Sequence, residues 1–104
     1  MSNKRNMTMP GLNDYHVDNL KEKGLKNPTE DLLSDLEKQE NLIPFKGTLG
    51  GTMYFLRENA LILNQKWIFA PFEDGHICGS LILEYRVKKN GKISWKVISS
   101  HLDN

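Results

Sequence analysis

The chain is expected to be an α+β domain, with one or two N-terminal helices packed on a curved antiparallel β-sheet of four to five strands in meander order. The hydrophobic period changes near residue 42, from a helical to a strand-like spacing. Before that point Leu32, Leu33 and Leu36 form a leucine stripe behind Pro28. After it, β-branched and aromatic residues run in short stretches, and Asp74-Gly75 and Asn90-Gly91 mark hairpin turns.

A chain of 104 residues is the common size of a single domain and too short for two ordinary cores. Residues 14–104 are read as that domain. Residues 1–13 carry Lys4 and Arg5 with no apolar run behind them, so they read as a flexible tail rather than a signal peptide or anchor. The formal charge is +1, from 14 basic and 13 acidic side chains, which gives no overall field toward nucleic acid or membrane. Neither partner is expected. Apolar windows elsewhere are broken by charges well short of a membrane span. Cys78 is the only cysteine, so no internal disulfide and no thiolate zinc site can form within one chain. The compartment stays open, cytoplasmic or, after removal of a leader, periplasmic or secreted.

The first helix is expected at residues 14–23, with Tyr15 and Leu20 in a weak pattern and Gly24 as its stop. The second runs over residues 28–40. Asn27 is its N-cap, Pro28 fills the first turn, and Glu30 and Asp31 suit the positive end of the helix dipole. Its leucines face the sheet, and Asn41 and Pro44 end it. Gly47, Gly50 and Gly51 argue for strong bending or a bulge in the first strand. Arg57-Glu58-Asn59 is the next turn. Residues 60–72 either form one long bent strand or turn again at Asn64-Gln65, and the single strand is preferred.

Register separates the two faces of the sheet. A three-residue loop at Lys89-Asn90-Gly91 sets Tyr85 opposite Trp95, Leu83 opposite Val97 and Glu84 opposite Lys96, which keeps both faces consistent. Leu81, Leu83, Tyr85, Val87, Ile93, Trp95 and Val97 then share the face covered by the helices. Reading Asp74-Gly75 as a two-residue hairpin adds Ile68, Ala70 and Phe72 to it. Trp67, Phe69, Ile82 and Ile98 fall on the opposite face, among His76, Cys78, Ser80, Glu84, Arg86 and Lys96. Each large apolar side chain is worth roughly 1.5–3 kcal/mol on burial, so this outer set is expected to form a homodimer interface.

Residues 59–63, Trp67, the Asp74-Gly75 turn, Gly79, Leu83-Glu84-Tyr85-Arg86, Gly91 and Trp95-Lys96-Val97-Ile98 with His101 together resemble the C-terminal sheet of nuclear transport factor 2-like domains. The polyketide-cyclase-like (SnoaL-like) branch is the nearest in pattern. The resemblance implies a cone-like fold of the cystatin and nuclear transport factor 2 type, often dimeric through the sheet, whose pocket takes small apolar ligands. Family members carry a longer helical part, so the cone here is expected to be shallow or filled. The catalytic carboxylate and hydroxyl donors of the enzymatic members have no counterpart in the matched stretch.

Site candidates otherwise rest on residue chemistry. Glu73, Asp74, His76 and Cys78 crowd one hairpin, where acid, imidazole and thiol together can bind a metal or support nucleophilic catalysis. Their plainer reading is as turn and strand residues, with His76 flanking the turn opposite Glu73, and no metal or cofactor is assigned. His101 is placed on the covered face opposite Gly79, at the cone mouth. Tyr54, Tyr85 and His76 complete the candidate ligand-binding set. Gly47 to Gly51 lacks the lysine spacing and following helix of a phosphate loop. Arg86, Lys88, Lys89, Lys92 and Lys96 around Trp95 read as a solvated hairpin tip that discourages edge pairing. The expected function is a non-enzymatic ligand-binding or protein-interaction domain, and the alternative is a small isomerase or cyclase acting on an apolar substrate in the cone.

Overall fold

The computed structural model describes residues 11–47 and 50–103. Two helices, α1 (Asp14–Glu22) and α2 (Pro28–Leu36), precede an antiparallel sheet of β1 (Tyr54–Phe55), β2 (Leu61–Ile62), β3 (Trp67–Glu73), β4 (Cys78–Val87) and β5 (Ile93–Leu102). The path is β1-β3-β4-β5, and β2 also pairs with β3 on the β1 side. Both short strands therefore share one edge of β3, and β5 forms the other edge of the sheet. Among the described residues no helix is long and apolar enough to cross a membrane.

Asn13 caps α1 reciprocally. Its side-chain oxygen accepts from the His16 N–H, and the His16 Nδ1 accepts from the Asn13 N–H. Leu12 packs on the core beside this cap. Of the expected tail, residues 1–10 lie outside the described residues. The cap expected at Asn27 takes a different form, because the Asn27 side chain makes no cap bond and the Asp31 carboxylate instead accepts from the Lys26 and Asn27 N–H groups. Helix α2 stops at Leu36 rather than running to residue 40. Beyond it the chain tightens, with Lys38 N donating to Asp35 O and Gln39 N to Leu36 O. A 3₁₀ turn at Glu40–Leu42 follows, and it delivers Ile43 into the core.

The core is the covered face expected from the register. Ile68, Ala70, Phe72, Leu81, Leu83 and Tyr85 from the sheet meet Leu32 and Leu36 of α2, and Leu20 and Leu25 join from around α1. Two polar contacts fix α2 across this face. Arg57, in the 3₁₀ turn at Arg57–Asn59, pairs with Glu30 of α2 and with Glu37 at its C-cap, and the Trp95 indole of β5 donates to Asp35 at 2.7 Å.

The expected long strand over residues 60–72 is two strands. The Asn64 side-chain oxygen accepts from the N–H groups of Lys66 and Trp67, both at 2.7 Å, and this Asx turn folds β2 back so that Leu61 lies opposite Phe69. The β3–β4 connection is also longer than expected. Glu73 pairs with Cys78, and residues 74–77 form the loop. Asp74 organises it, accepting from the His76 and Ile77 N–H groups while its own N–H donates to Ile77 O. The slip relative to a two-residue turn is an even number of residues, so the faces survive it. His76, however, sits in the loop and not opposite Glu73.

The last hairpin has the expected register, with Tyr85 opposite Trp95, Glu84 opposite Lys96 and Leu83 opposite Val97. A bulge follows. Ile82 pairs with Ser99, leaving Ile98 as the extra residue, and every later side chain of β5 changes face. His101 therefore pairs with Ser80 on the outer face, and Leu102 takes the place opposite Gly79. Gly47, Gly50 and Gly51 do not join the sheet, since β1 is only Tyr54–Phe55. A Cβ on Gly47 would run into the Gly51 carbonyl, so these two backbones are held in close approach.

Candidate outer-face interface and polar row

The face of the sheet away from the helices carries an apolar band. The register aligns Leu61, Phe69 and Ile82 across β2, β3 and β4, and the bulged Ile98 stands beside Ser99 in the same row. Trp67 lies one step along this face toward the β4–β5 hairpin, and Pro71 one step the other way. Trp67 is 40% exposed and Ile98 48%, whereas Phe69 and Ile82 are half-buried by their neighbours. The Lys66 ammonium lies 5.4 Å from the centroid of the Trp67 ring, so that ring is flanked by a cation as well as by solvent.

The two ends of the face differ in charge. Toward the hairpin stand Lys96 and Arg86, with Glu84 between the strands and 3.3 Å from Arg86. At the opposite end Tyr54, Glu73, Cys78 and Asp103 form a polar row that crosses the sheet from edge to edge. The Tyr54 hydroxyl donates to Glu73 at 2.7 Å, the Cys78 thiol donates to Asp103 at 3.4 Å, and the His101 Nε2 lies 3.3 Å from the other Asp103 oxygen. The Asp103 N–H also donates to the Cys78 carbonyl, which holds the carboxylate beside the thiol.

This row is poorly suited to nucleophilic chemistry. The hydrogen bond to Asp103 pushes the Cys78 thiol above its ordinary range, and desolvation and the charges of Asp103 and Glu73 push the same way. Reactive cysteines sit in electropositive surroundings that lower the value, and Cys78 sits among carboxylates. Tyr54 is likewise raised, first by its hydrogen bond to Glu73. Among the described residues no three His, Cys, Asp or Glu side chains gather as a metal-ligand set.

The candidate ligand-binding residues divide. Tyr54 and His101 share the polar row through Glu73, Cys78 and Asp103. His76 is exposed in the neighbouring β3–β4 loop. Tyr85 belongs elsewhere, since its ring is 2% exposed against Trp95 and its hydroxyl donates to the Asn64 carbonyl at 2.8 Å. Burial raises its ionisation strongly. Asp103 was not singled out by the sequence. Only the bulge at Ile98 brings it, together with His101, to Cys78 on the outer face, and nothing in the residue pattern around Val97-Ile98-Ser99-Ser100 announces that bulge.

Compared with known proteins, the chain matches no family model, no curated protein and no solved structure.

Proposed function

We propose that this chain is a non-enzymatic protein-interaction domain that pairs with a second copy of itself through the outer face of the sheet. The observation that carries the reading is the band of Leu61, Phe69, Ile82 and Ile98 with the half-exposed Trp67 beside it, lying on the face opposite the helices. A second copy is the partner that the charges favour. A two-fold axis near Ile82 lays the Arg86–Lys96 end of one protomer over the Glu73–Asp103 end of the other and brings the apolar bands together. The resemblance of residues 59–101 to the nuclear transport factor 2-like sheet supports the same assembly, since those domains often dimerise through it. A small apolar ligand held inside the fold is the less favoured occupant, because Leu32, Leu36, Phe72 and Tyr85 pack between the helices and the sheet.

Sedimentation equilibrium tests the proposal directly. A concentration-dependent dimer is expected for the native chain, and Trp67→Lys with Ile98→Lys should shift it to monomer without changing the far-ultraviolet circular dichroism. A native chain that stays monomeric at millimolar concentration overturns the reading.

A further inference from the structure

Strand β4 outruns its neighbour. Strand β3 begins at Trp67 opposite Glu84, so Tyr85 to Val87 have β5 on one side and no strand on the other. The Tyr85 N–H is met there by the Lys66 carbonyl of the β2–β3 loop at 2.9 Å, whereas the Lys88 N–H turns the opposite way, to the Lys92 carbonyl of the hairpin. Backbone groups alternate sides along a strand, so the main-chain N–H and C=O of Val87 point to the side that β3 vacates. The Val87 side chain remains in the core.

That vacated position is an open cleft of about 890 Å³, walled on its far side by Asn19, Leu20 and Lys23 of the α1 region. Asn19 and Gln65 close one end of it with a side-chain hydrogen bond of 3.4 Å. Five basic residues, Lys23, Lys66, Arg86, Lys88 and Lys89, line the cleft against two acids, Glu22 and Glu84. Glu84 and Arg86 are paired with each other, which leaves four lysines against Glu22. In a chain of net charge +1 this is a local concentration of positive charge beside an unpaired strand edge.

We propose that this cleft binds a short acidic peptide in extended conformation, which adds to β4 as a strand in line with β3. Main-chain hydrogen bonds to Val87 supply the backbone pairing, and the lysines select acidic side chains at alternate positions. The site shares Arg86 and Glu84 with the charged end of the proposed dimer face but does not rest on the dimer, since Lys23, Lys88, Lys89 and the Val87 edge lie outside the apolar band.

The test uses a fluorescein-labelled peptide of alternating glutamate and valine, followed by polarisation. Binding is expected, with at least about a tenfold loss for Lys88→Glu with Lys89→Glu and a comparable loss for Lys23→Glu on the opposite wall. The Ile98→Lys variant should bind the peptide as the native chain does. N-methylation of the peptide at alternate residues should abolish binding, and the Val87 amide should gain protection from hydrogen exchange when the unmodified peptide is present. Absence of binding overturns the proposal. So does undiminished binding of the N-methylated peptide, or equal competition by a single-stranded oligonucleotide, since either would make the cleft a charge trap without strand recognition.

Discussion

The Trp95 indole N–H donates to the Asp35 carboxylate at 2.7 Å, tying the edge strand β5 to the C-terminal turn of α2. An acid in a last helical turn opposes the helix dipole by about 0.3–1 kcal/mol, and α2 has no basic residue there to compensate. The residue is therefore held for its tertiary contact, with Gln39 donating to the same oxygen at 3.3 Å. Asp35→Ala should destabilise the fold by about 1.5–3 kcal/mol, because it leaves a half-buried indole donor without its charged acceptor. A double-mutant cycle with Trp95→Phe, followed by urea denaturation, should show coupling of about 1–2 kcal/mol; additive effects would refute the bond's role.

Gly24 and Gly91 bring the α1–α2 connection against the β4–β5 hairpin. A Cβ on Gly24 would lie 2.9 Å from the Gly91 backbone nitrogen, and Gly24 also has φ +110. Gly75, with φ +94, has open space around the same position. Gly24→Ala should thus cost well over 1 kcal/mol, about that figure being expected of the left-handed backbone alone, while Gly75→Ala should show only the backbone cost. Thermal denaturation of the two variants side by side would separate the clash from the conformational strain.

Cys78 is exposed, yet Asp103 and Glu73 oppose formation of its thiolate. Its reaction with a disulfide reagent at pH 8 should run severalfold slower than that of free cysteine and rise steeply with pH. Asp103→Asn should accelerate it, by removing the negative charge that opposes the thiolate and replacing a charged acceptor with a neutral amide. An unchanged rate in that variant would mean that the Cys78–Asp103 contact does not persist in solution.

Much of the covered face was legible because two-residue alternation is insensitive to even slips. The β3–β4 loop is longer than a two-residue turn, yet Ile68, Ala70 and Phe72 still fall inside. His101 shows the converse: one extra residue at Ile98 carries it to the outer face, and the pattern of β5 reads equally well with or without a bulge. The split of residues 60–72 depended on the Asn64 side chain bonding its own backbone, a local competition that apolar spacing does not register. The cleft beside Val87 was illegible for a third reason. It arises from the unequal lengths of β3 and β4, and only the folded pairing brings Lys23 and Lys66 to the same opening as Lys88.

Tyr85 gives the fold an alkaline limit. Burial raises its ionisation well above the ordinary phenol value of about 10. The folded state therefore holds the proton after the unfolded state has begun to lose it. The stabilisation is complete below about pH 10, and it is lost as pH rises from there toward the folded value, because the unfolded chain is favoured by each proton released. Urea midpoints should consequently fall between pH 9 and pH 11. Tyr85→Phe should lower the stability at pH 8 by about 1 kcal/mol, through loss of the bond to the Asn64 backbone carbonyl, and should flatten the alkaline decline of the midpoint. Tyr54 is also raised, but it is exposed and its shift comes first from its bond to Glu73, so Tyr54→Phe should leave most of the decline in place. A Tyr85→Phe protein with an undiminished slope would show that another group sets the alkaline limit.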